Sequence, residues 1–307
     1  MRILVTGATG YIGFAVAAAL RRAGHDVFGL HRAPEAARRL EKAEIRPVRG
    51  DLETLERAEG VARECGVLVH AASSAGADRV ALDRRAVDLF ASWALSARTT
   101  ATIVYTSGVW VYGTTGKALA DESTPVRPPE LVAWRPDHER AVLAAAGPRV
   151  RAIVLRPGCV YGGSGGLTGL FFDGATKDGA PRIVGDGANR WTLVHVEDLA
   201  DLYVRAVERA PEPGGVFNAV DRSRETVLEM ARAAALAAGA SGDVRTTPLE
   251  DARKRLGPYA DCLAIDQRVD GGKAERLLGW RPRARGFRDD AALYFAAWRA
   301  ARPAGEP

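Results

Sequence analysis

The chain has 307 residues, of which 47% are hydrophobic and 26% are charged, a composition that excludes a disordered protein. The net charge of +5 comes mainly from arginines on predicted helices, so we interpret them as solvated faces rather than as a nucleic-acid site. Three widely spaced cysteines indicate neither a disulfide framework nor a zinc site.

Short β-branched segments alternate with amphipathic stretches through the N-terminal half, which is typical of parallel βαβ units. Strands are predicted at Ile3 to Val5, Asp26 to Leu30, Ile45 to Val48, Val67 to His70, Thr102 to Thr106 and Ala152 to Leu155. Helices are predicted at Ile12 to Ala23, Pro34 to Lys42, Arg79 to Ala97 and Pro136 to Ala146. This order predicts an α/β fold with a doubly wound parallel Rossmann sheet.

After residue 157 the sequence becomes rich in glycine and turn residues, and its elements become short. We therefore expect a dinucleotide-binding Rossmann domain over 1–157 and a smaller C-terminal subdomain, mainly substrate-binding, over 158–307. The segment Val194 to Arg209 has a helical period. We expect about 190–220 to pack back on the first domain, so that the two parts interleave.

A glycine loop follows the first strand and opens the first helix, the context that a dinucleotide site requires. Gly7 permits the tight turn, Gly10 lets the backbone approach a pyrophosphate, and Gly13 allows close packing of helix on strand. The helix N-terminus then offers N–H groups and a positive dipole to the phosphates. The loop residues assigned to the cofactor are Gly7, Thr9, Gly10, Tyr11, Ile12 and Gly13.

The end of the second strand indicates which dinucleotide binds. An acidic residue there would hydrogen-bond the ribose 2′-hydroxyl and repel a 2′-phosphate, but the chain has His31 and Arg32. The planar fork of Arg32 suits a phosphate, whereas we expect Arg38 and Arg39 to be solvated. The cofactor predicted is NADP(H).

Further motifs occur along the chain in a characteristic order. They are Gly50-Asp51-Leu52, His70-Ala71-Ala72, Tyr105-Thr106-Ser107, Val111-Tyr112-Gly113, Arg156-Pro157-Gly158-Cys159-Val160-Tyr161-Gly162, Val194-His195-Val196-Glu197-Asp198-Leu199 and Leu278-Gly279-Trp280-Arg281-Pro282. With the glycine loop, they resemble the extended short-chain dehydrogenase/reductase family, in its NAD(P)-dependent epimerase/dehydratase group. The resemblance covers nearly the whole chain. It implies cofactor contacts from Asp51, Leu52, Ala71, Ala72, Ser73, Thr106, Pro157, Gly158 and Val160.

The family's Tyr-x-x-x-Lys pair is missing, which makes the chain an atypical member. Where the resemblance places the pair, the sequence has Trp134 and His138. An indole cannot act as a phenol acid, but a histidine can bind cofactor ribose or relay a proton. The family's catalytic hydroxyl falls on Gly108, one residue from Ser107. We therefore predict Ser107 and His138 as catalytic, with His138 also at the cofactor, against the alternatives of a strand cap and an exposed helix residue.

The leading function is an NADP(H)-dependent oxidoreductase acting on a small carbonyl or hydroxyl substrate. One alternative is an epimerase, dehydratase or cyclase that uses the cofactor without net hydride transfer, and another is a non-catalytic NADP-binding sensor or scaffold. Substrate contacts are assigned to Ser73, Trp110, Trp134 and Tyr161. We expect His195 to orient the substrate subdomain and no metal to bind, because its spacing to Glu197 and Asp198 does not make a metal site.

Location and assembly are predicted from what the sequence lacks and from one helix. No apolar run approaches the roughly 20 residues that span a bilayer, and no signal-peptide pattern precedes the first strand. We expect a cytoplasmic protein that binds neither membranes nor nucleic acid. Related proteins pair two helices per subunit, so a homodimer is expected. An apolar stripe would serve that contact or face the protein's own core, and it comprises Val87, Phe90, Ala91 and Ala94.

Overall fold

Strands and helices alternate along most of the chain in this computed structural model, which describes residues 1–74 and 76–302. The strands are β1 (Arg2–Thr6), β2 (Asp26–His31), β3 (Arg46–Arg49), β4 (Val67–His70), β5 (Ala101–Thr106), β6 (Val150–Pro157), β7 (Cys159–Tyr161), β8 (Arg182–Val184), β9 (Leu193–His195), β10 (Gly214–Ala219) and β11 (Arg245–Thr247). The helices are α1 (Tyr11–Arg22), α2 (Pro34–Lys42), α3 (Glu59–Ala62), α4 (Arg79–Leu95), α5 (Arg135–Ala144), α6 (Gly169–Asp178), α7 (Val196–Arg209), α8 (Val227–Ala237), α9 (Leu249–Leu256), α10 (Tyr259–Leu263), α11 (Gly272–Leu278) and α12 (Ala291–Ala300).

A parallel sheet of seven strands forms the centre of the described part of the molecule. Its strand order is β10-β6-β5-β4-β1-β2-β3, and every neighbouring pair is parallel. The order reverses between β1 and β4, and in such sheets ligands bind at the carboxyl ends of the strands beside this reversal. The predicted α/β class with a doubly wound Rossmann sheet is confirmed.

Both faces of the sheet are buried because successive side chains of a strand point to opposite sides. Ile3 and Val5 of β1 pack in one core with α1 and α7. Leu4, between them, packs in a second core with Phe90 of α4 and with α5. The single strand β1 therefore joins both layers of helices to the sheet.

The apolar stripe of α4 belongs to the protein's own core. Val87, Phe90 and Ala94 are buried, and Ala91 packs against the same cluster. The structure thus supports the second alternative, in which the stripe faces the protein's own core rather than a partner subunit.

Most of the C-terminal half packs around an aromatic core of its own, in which Phe171 stacks on Trp191 with ring centroids 5.4 Å apart. Two segments of this half return to the first one, since α7 packs on α1 and β10 pairs with β6 at the sheet edge. Residues 303–307 of the expected second domain lie outside the described residues. Among the described helices, none is long and apolar enough to cross a membrane.

Candidate functional site

A cleft of about 650 Å³ runs along the carboxyl ends of β1 to β4, beside the reversal in strand order. Many residues that the sequence assigned to the cofactor line this cleft. They are Gly7, Thr9, Gly10, Tyr11, Ile12, Gly13, His31, Arg32, Asp51, Leu52, Ala71, Ala72 and Ser73. The cleft is long, open and placed where a doubly wound sheet binds its dinucleotide.

The glycine loop has the backbone form that a dinucleotide needs. Gly7 adopts φ 72°, and a Cβ added there would lie 2.6 Å from the Ala71 carbonyl oxygen. A Cβ on Gly13 would lie 2.0 Å from the carbonyl oxygen of Gly7, so any side chain would force α1 away from β1. No side chain caps the N-terminus of α1, which leaves its N–H groups directed into the cleft. The residues present fit a bound pyrophosphate.

Basic side chains lie at the adenosine end of the cleft. His31 ends β2, and its Nδ1 is 3.1 Å from the carbonyl oxygen of Ala33. Hydrogen bonds from Thr54 and, to a smaller extent, the charge of Arg32 lower the pKa of Asp51 below its usual range. Arg39 reaches back to the glycine loop, where its Nη1 lies 3.3 Å from the carbonyl oxygen of Thr9 and its guanidinium lies 3.9 Å from the Phe14 ring centroid. Arg39 stays exposed to solvent, as the sequence led us to expect, while its guanidinium contacts the outer side of the glycine loop.

A second cavity, of about 390 Å³, adjoins the dinucleotide cleft and shares Tyr11, Ile12 and Ser73 with it. The predicted residues Pro157, Gly158 and Val160 line it, as do Ser107, Trp110 and Trp134. Apolar and charged residues that the sequence analysis did not single out complete the wall, and they include Arg79, Val109, Leu131, Val132, Arg135 and Leu167. The structure therefore brings the predicted nicotinamide-end and substrate residues to one space.

A buried ion pair lies directly behind the Ser107 hydroxyl. Ser107 follows β5 and donates its hydroxyl hydrogen bond to Oε1 of Glu139 on α5. Arg156 of β6 donates from Nε to both carboxylate oxygens of Glu139, at 3.0 and 3.2 Å. Both charged side chains are more than nine-tenths buried. Ser107 is thus the one member of this trio that also lines the cavity.

The ion pair continues into a chain of neutral groups. Arg156 Nη1 donates to the Tyr112 hydroxyl at 2.8 Å, and that hydroxyl donates to Asn218 Oδ1 at 2.8 Å. Burial by itself would lower the pKa of Arg156, but the hydrogen bonds and charge of Glu139 raise it. Burial also raises the pKa of Tyr112. Arg156 therefore keeps its charge, and Tyr112 stays a neutral phenol.

His138 lies in a different buried cluster and is not among the residues that line the cavity. Its Nδ1 is 2.9 Å from Asp83 Oδ1 of α4, and the Tyr105 hydroxyl and His70 Nε2 contact the same carboxylate at 2.8 and 3.3 Å. Burial by itself would raise the pKa of Asp83, but hydrogen bonds from His138 and His70 lower it. The Trp134 and His138 rings lie side by side, with centroids 4.8 Å apart, but only Trp134 reaches the cavity. The reason is that Asp83 holds the imidazole on the core side of α5.

Other predicted residues lie near the cavities without lining them. Thr106 donates to the carbonyl oxygen of His70 at 2.7 Å and contacts the Tyr203 hydroxyl at 2.6 Å. Tyr161 is fully buried, and its hydroxyl donates to the Arg285 carbonyl oxygen at 3.0 Å. His195 accepts a hydrogen bond from the Glu197 backbone N–H at 3.2 Å, which caps α7. These side chains are engaged in contacts within the protein, and Tyr161 is not among the residues that line the cavity.

Sequence reasoning missed Glu139, Arg156 and the two cavity arginines. Glu139 follows His138 on a polar helix segment, where a glutamate is ordinarily solvated. Arg156 begins the Arg-Pro-Gly motif, whose family pattern assigns contacts only to the residues that follow it. A charged residue inside the apolar strand β6 was the one available signal, since an isolated charge in a buried strand requires a partner.

The chain resembles known proteins over nearly its full length. The sequence profile of the NAD dependent epimerase/dehydratase family matches residues 3–219. An uncharacterized protein of Schizosaccharomyces pombe is 30% identical over 92% of this chain and 95% of its own. The 4-hydroxy-2-methyl-3-oxo-4-farnesyl-3,4-dihydroquinoline-1-oxide ketoreductase of Stigmatella aurantiaca is 28% identical, over 92% of each chain.

A solved structure shares the fold. The dTDP-glucose 4,6-dehydratase DesIV of Streptomyces venezuelae, with NAD and TYD bound, is 22% identical and superposes with a TM-score of 0.81. The match covers 98% of this chain and 97% of DesIV. The glycine loop, the parallel sheet and the family profile agree, and the chain belongs to the NAD dependent epimerase/dehydratase family.

Proposed function

We propose that the protein is an NADP(H)-dependent oxidoreductase that interconverts a small carbonyl compound and its alcohol. The observation that carries this proposal is the Ser107 hydroxyl, which lines the cavity next to the dinucleotide cleft and is hydrogen-bonded to the buried Glu139. A hydroxyl backed by a carboxylate can exchange a proton with a substrate oxygen. The ketoreductase named above supports a reductive direction within the family.

The chain's own residues supply the binding and the proton. When bound, the nicotinamide supplies or accepts a hydride. In the structure Glu139 is the carboxylate partner of Arg156 and accepts the Ser107 hydrogen bond. In the reductive direction a proton from cavity water first passes through Ser107 to this carboxylate. Ser107 then donates its proton to the substrate oxygen while Glu139 returns the proton to Ser107. Arg156 stabilises the carboxylate that remains, because its Nε and Nη2 each donate a hydrogen bond to Glu139. Water in the cavity returns the proton through Ser107, and oxidation of an alcohol runs the same steps backwards.

The second part of the proposal is the preference for NADP(H). Arg32 lines the cleft where β2 ends, and Arg39 lies against the glycine loop on the same side. The guanidinium of Arg32 favours a 2′-phosphate, which it can bind with charge-assisted hydrogen bonds, and Arg39 adds positive charge beside the glycine loop. No acidic residue stands at positions 31 to 33, where one would repel that phosphate.

Stoichiometry tests the reaction. The protein is incubated with NADPH and a panel of small aromatic and aliphatic aldehydes and ketones, and both NADPH and alcohol are measured. We expect one alcohol for each NADPH consumed. Conversion of a compound with no loss of NADPH would contradict net reduction and favour an epimerase or dehydratase. Binding of NADPH without conversion of any compound would favour a sensor.

Two serine variants test the residue that carries the proposal. Ser107→Ala should lower turnover by about 10² to 10⁴ and leave the Kd for NADPH nearly unchanged, because the hydroxyl serves the substrate oxygen. Ser92→Ala is the matched control, since Ser92 is exposed on α4, and it should behave as the parent protein. Equal turnover in the two variants would remove Ser107 from the chemistry.

A further inference from the structure

Two arginine side chains lie on the wall of the substrate cavity. Arg79 begins α4, and its Nη2 donates to the carbonyl oxygen of Leu131 at 3.1 Å. Arg135 begins α5, and its Nη1 donates to the carbonyl oxygen of Thr106 at 3.0 Å. Both are half-buried, and both line the 390 Å³ cavity. Arg135 therefore contacts the residue that directly precedes Ser107.

The Trp134 indole connects these two cations. Its Nε1 donates to the carbonyl oxygen of Leu131 at 3.2 Å, the same oxygen that Arg79 contacts. The guanidinium of Arg135 lies 4.6 Å from the centroid of the Trp134 ring. Both positive charges thus lie beside one indole, and the indole forms part of the same wall.

Neither charge is balanced by the described part of the protein. No carboxylate among the described residues lies within 4.0 Å of Arg79 or Arg135. By contrast, exposed arginines on the same helices are paired, Arg84 with Asp88 at 2.9 Å and Arg140 with Asp137. Two like charges in a partly desolvated cavity repel each other, and an anion placed between them removes that cost.

Apart from its serine hydroxyls, the rest of the cavity wall is mainly apolar and partly aromatic. Trp110 and Trp134 line it together with Val109, Leu131, Val132 and Leu167. Such a surface binds a flat apolar body through area and ring contacts. We propose that the substrate is a flat, preferably aromatic, carbonyl compound that carries a carboxylate, and that Arg79 and Arg135 bind this carboxylate. The carbonyl group of this substrate rests on the proposed function, whereas the anion site is argued from the two arginines alone.

Binding of unreactive compounds tests the anion site apart from the reaction. The NADPH-loaded protein is titrated by calorimetry with para-toluate and with its methyl ester, which share a ring and differ in charge. We expect the acid to bind about 10- to 100-fold more tightly, the range of one or two charge-assisted hydrogen bonds. Equal affinities for acid and ester would overturn the inference. Para-tolyl phosphate is titrated alongside, and phosphate binding at least tenfold tighter than the carboxylate would overturn the choice of carboxylate.

Matched arginine variants locate the charge. Arg79→Ala and Arg135→Ala should each remove most of the preference for acid over ester and leave the affinity of the ester unchanged. Arg84→Ala and Arg140→Ala, on the same helices outside the cavity, should keep the full preference. Arg79→Lys and Arg135→Lys should restore part of it. A loss of NADPH affinity in the alanine variants, with the acid preference kept, would place the arginines at the cofactor and overturn the inference.

Reduction of the matching aldehydes separates the two proposals. Para-formylbenzoate should be reduced with a kcat/KM about 10- to 100-fold above that of its methyl ester. If toluate binds through the arginines but neither aldehyde is reduced, the anion site stands and the proposed function fails. If both aldehydes are reduced equally in parent and variant proteins, the function stands and the anion site fails.

Discussion

The Glu139→Gln substitution keeps the size of the side chain but removes its charge and its ability to release a proton. In the parent protein the Glu139 carboxylate accepts hydrogen bonds from the Ser107 hydroxyl and from Nε and Nη2 of Arg156. The variant leaves the Arg156 guanidinium buried beside a neutral amide. It therefore perturbs the proposed proton path and the stability together, and the experiment has to separate the two effects.

The size of each effect follows from the burial of the pair. Removing one partner of a buried ion pair costs about 3 to 5 kcal/mol. We expect the lower end, because the amide oxygen of glutamine and the Tyr112 hydroxyl, 2.8 Å from Nη1, still accept hydrogen bonds from Arg156. A loss of about 3 kcal/mol leaves a domain of roughly 5 to 15 kcal/mol folded. Because the variant stays folded, the lost stability does not itself lower turnover, and we expect the loss of the proton path to lower turnover by about 10² to 10⁴.

Kinetics and thermal unfolding are measured on the same samples, well below the unfolding midpoint of the variant. The double variant Glu139→Gln with Arg156→Gln removes the unpaired charge, so it should regain part of the lost stability. Its turnover should stay as low as that of the single variant, because no acidic proton returns. Turnover that recovers with stability, or a single variant within about threefold of the parent, would make Glu139 a structural residue only.

Four further outcomes are expected. Arg32→Ala should weaken NADP(H) by about 1 to 3 kcal/mol and NAD(H) little in fluorescence titrations; equal losses would remove Arg32 from the 2′-phosphate. His138→Gln should lower the free energy of unfolding by about 1 to 3 kcal/mol, because the contact with Asp83 is lost, but turnover should stay within a few-fold of the parent. A hundredfold loss of turnover would instead show that His138 supplies the catalytic proton. Because the native pKa of Asp83 is lowered, the ionised carboxylate stabilises the fold fully above its unfolded pKa of about 3.9, and this stabilisation is lost as the pH falls toward the native pKa. The free energy of unfolding of Asp83→Asn should therefore depend less steeply on pH in acid than that of the parent. Identical profiles would contradict this. Light scattering at micromolar concentration should give a dimer mass, and a monomer would refute the homodimer.

Local patterns predicted much of the Rossmann half, because each element there depends mainly on neighbouring residues. Pro34–Lys42 has the predicted bounds, with proline in the first turn and basic residues in the last. Strand β1 has the buried pattern expected of a central parallel strand. The glycine loop could also be predicted from the local sequence, since a positive φ at Gly7 and the close approach of Gly13 to the Gly7 carbonyl require glycine.

Strand β10 was missed because its signal is weak and its partner is distant in the chain. It begins with Gly214 and Gly215, which lower strand propensity, and it is held in place by pairing with β6. Nothing in the local sequence states that pairing.

The site could be predicted only where chain order determines position. The four-residue spacing accounts for the contact between Trp134, which precedes α5, and His138 within it, but spacing could not say which neighbour this face meets. Asp83 from α4 engages the histidine, and Arg156 from β6 engages Glu139. Both contacts join segments far apart in sequence, so they depend on tertiary packing that no local pattern describes.

The late return of β10 to the sheet constrains how the protein is made. The β6 edge and the inner face of α1 are covered only after the ribosome has released the chain past Ala219. Trp280 is synthesised later still. It is fully buried, and its indole N–H donates to the Asp198 carbonyl oxygen at 2.9 Å. A fragment that stops at Pro157 would expose an unpaired strand edge and an apolar helix face, both of which promote aggregation. We therefore expect gene fusions or truncations that cut after β6 to yield insoluble protein rather than an isolated nucleotide-binding domain.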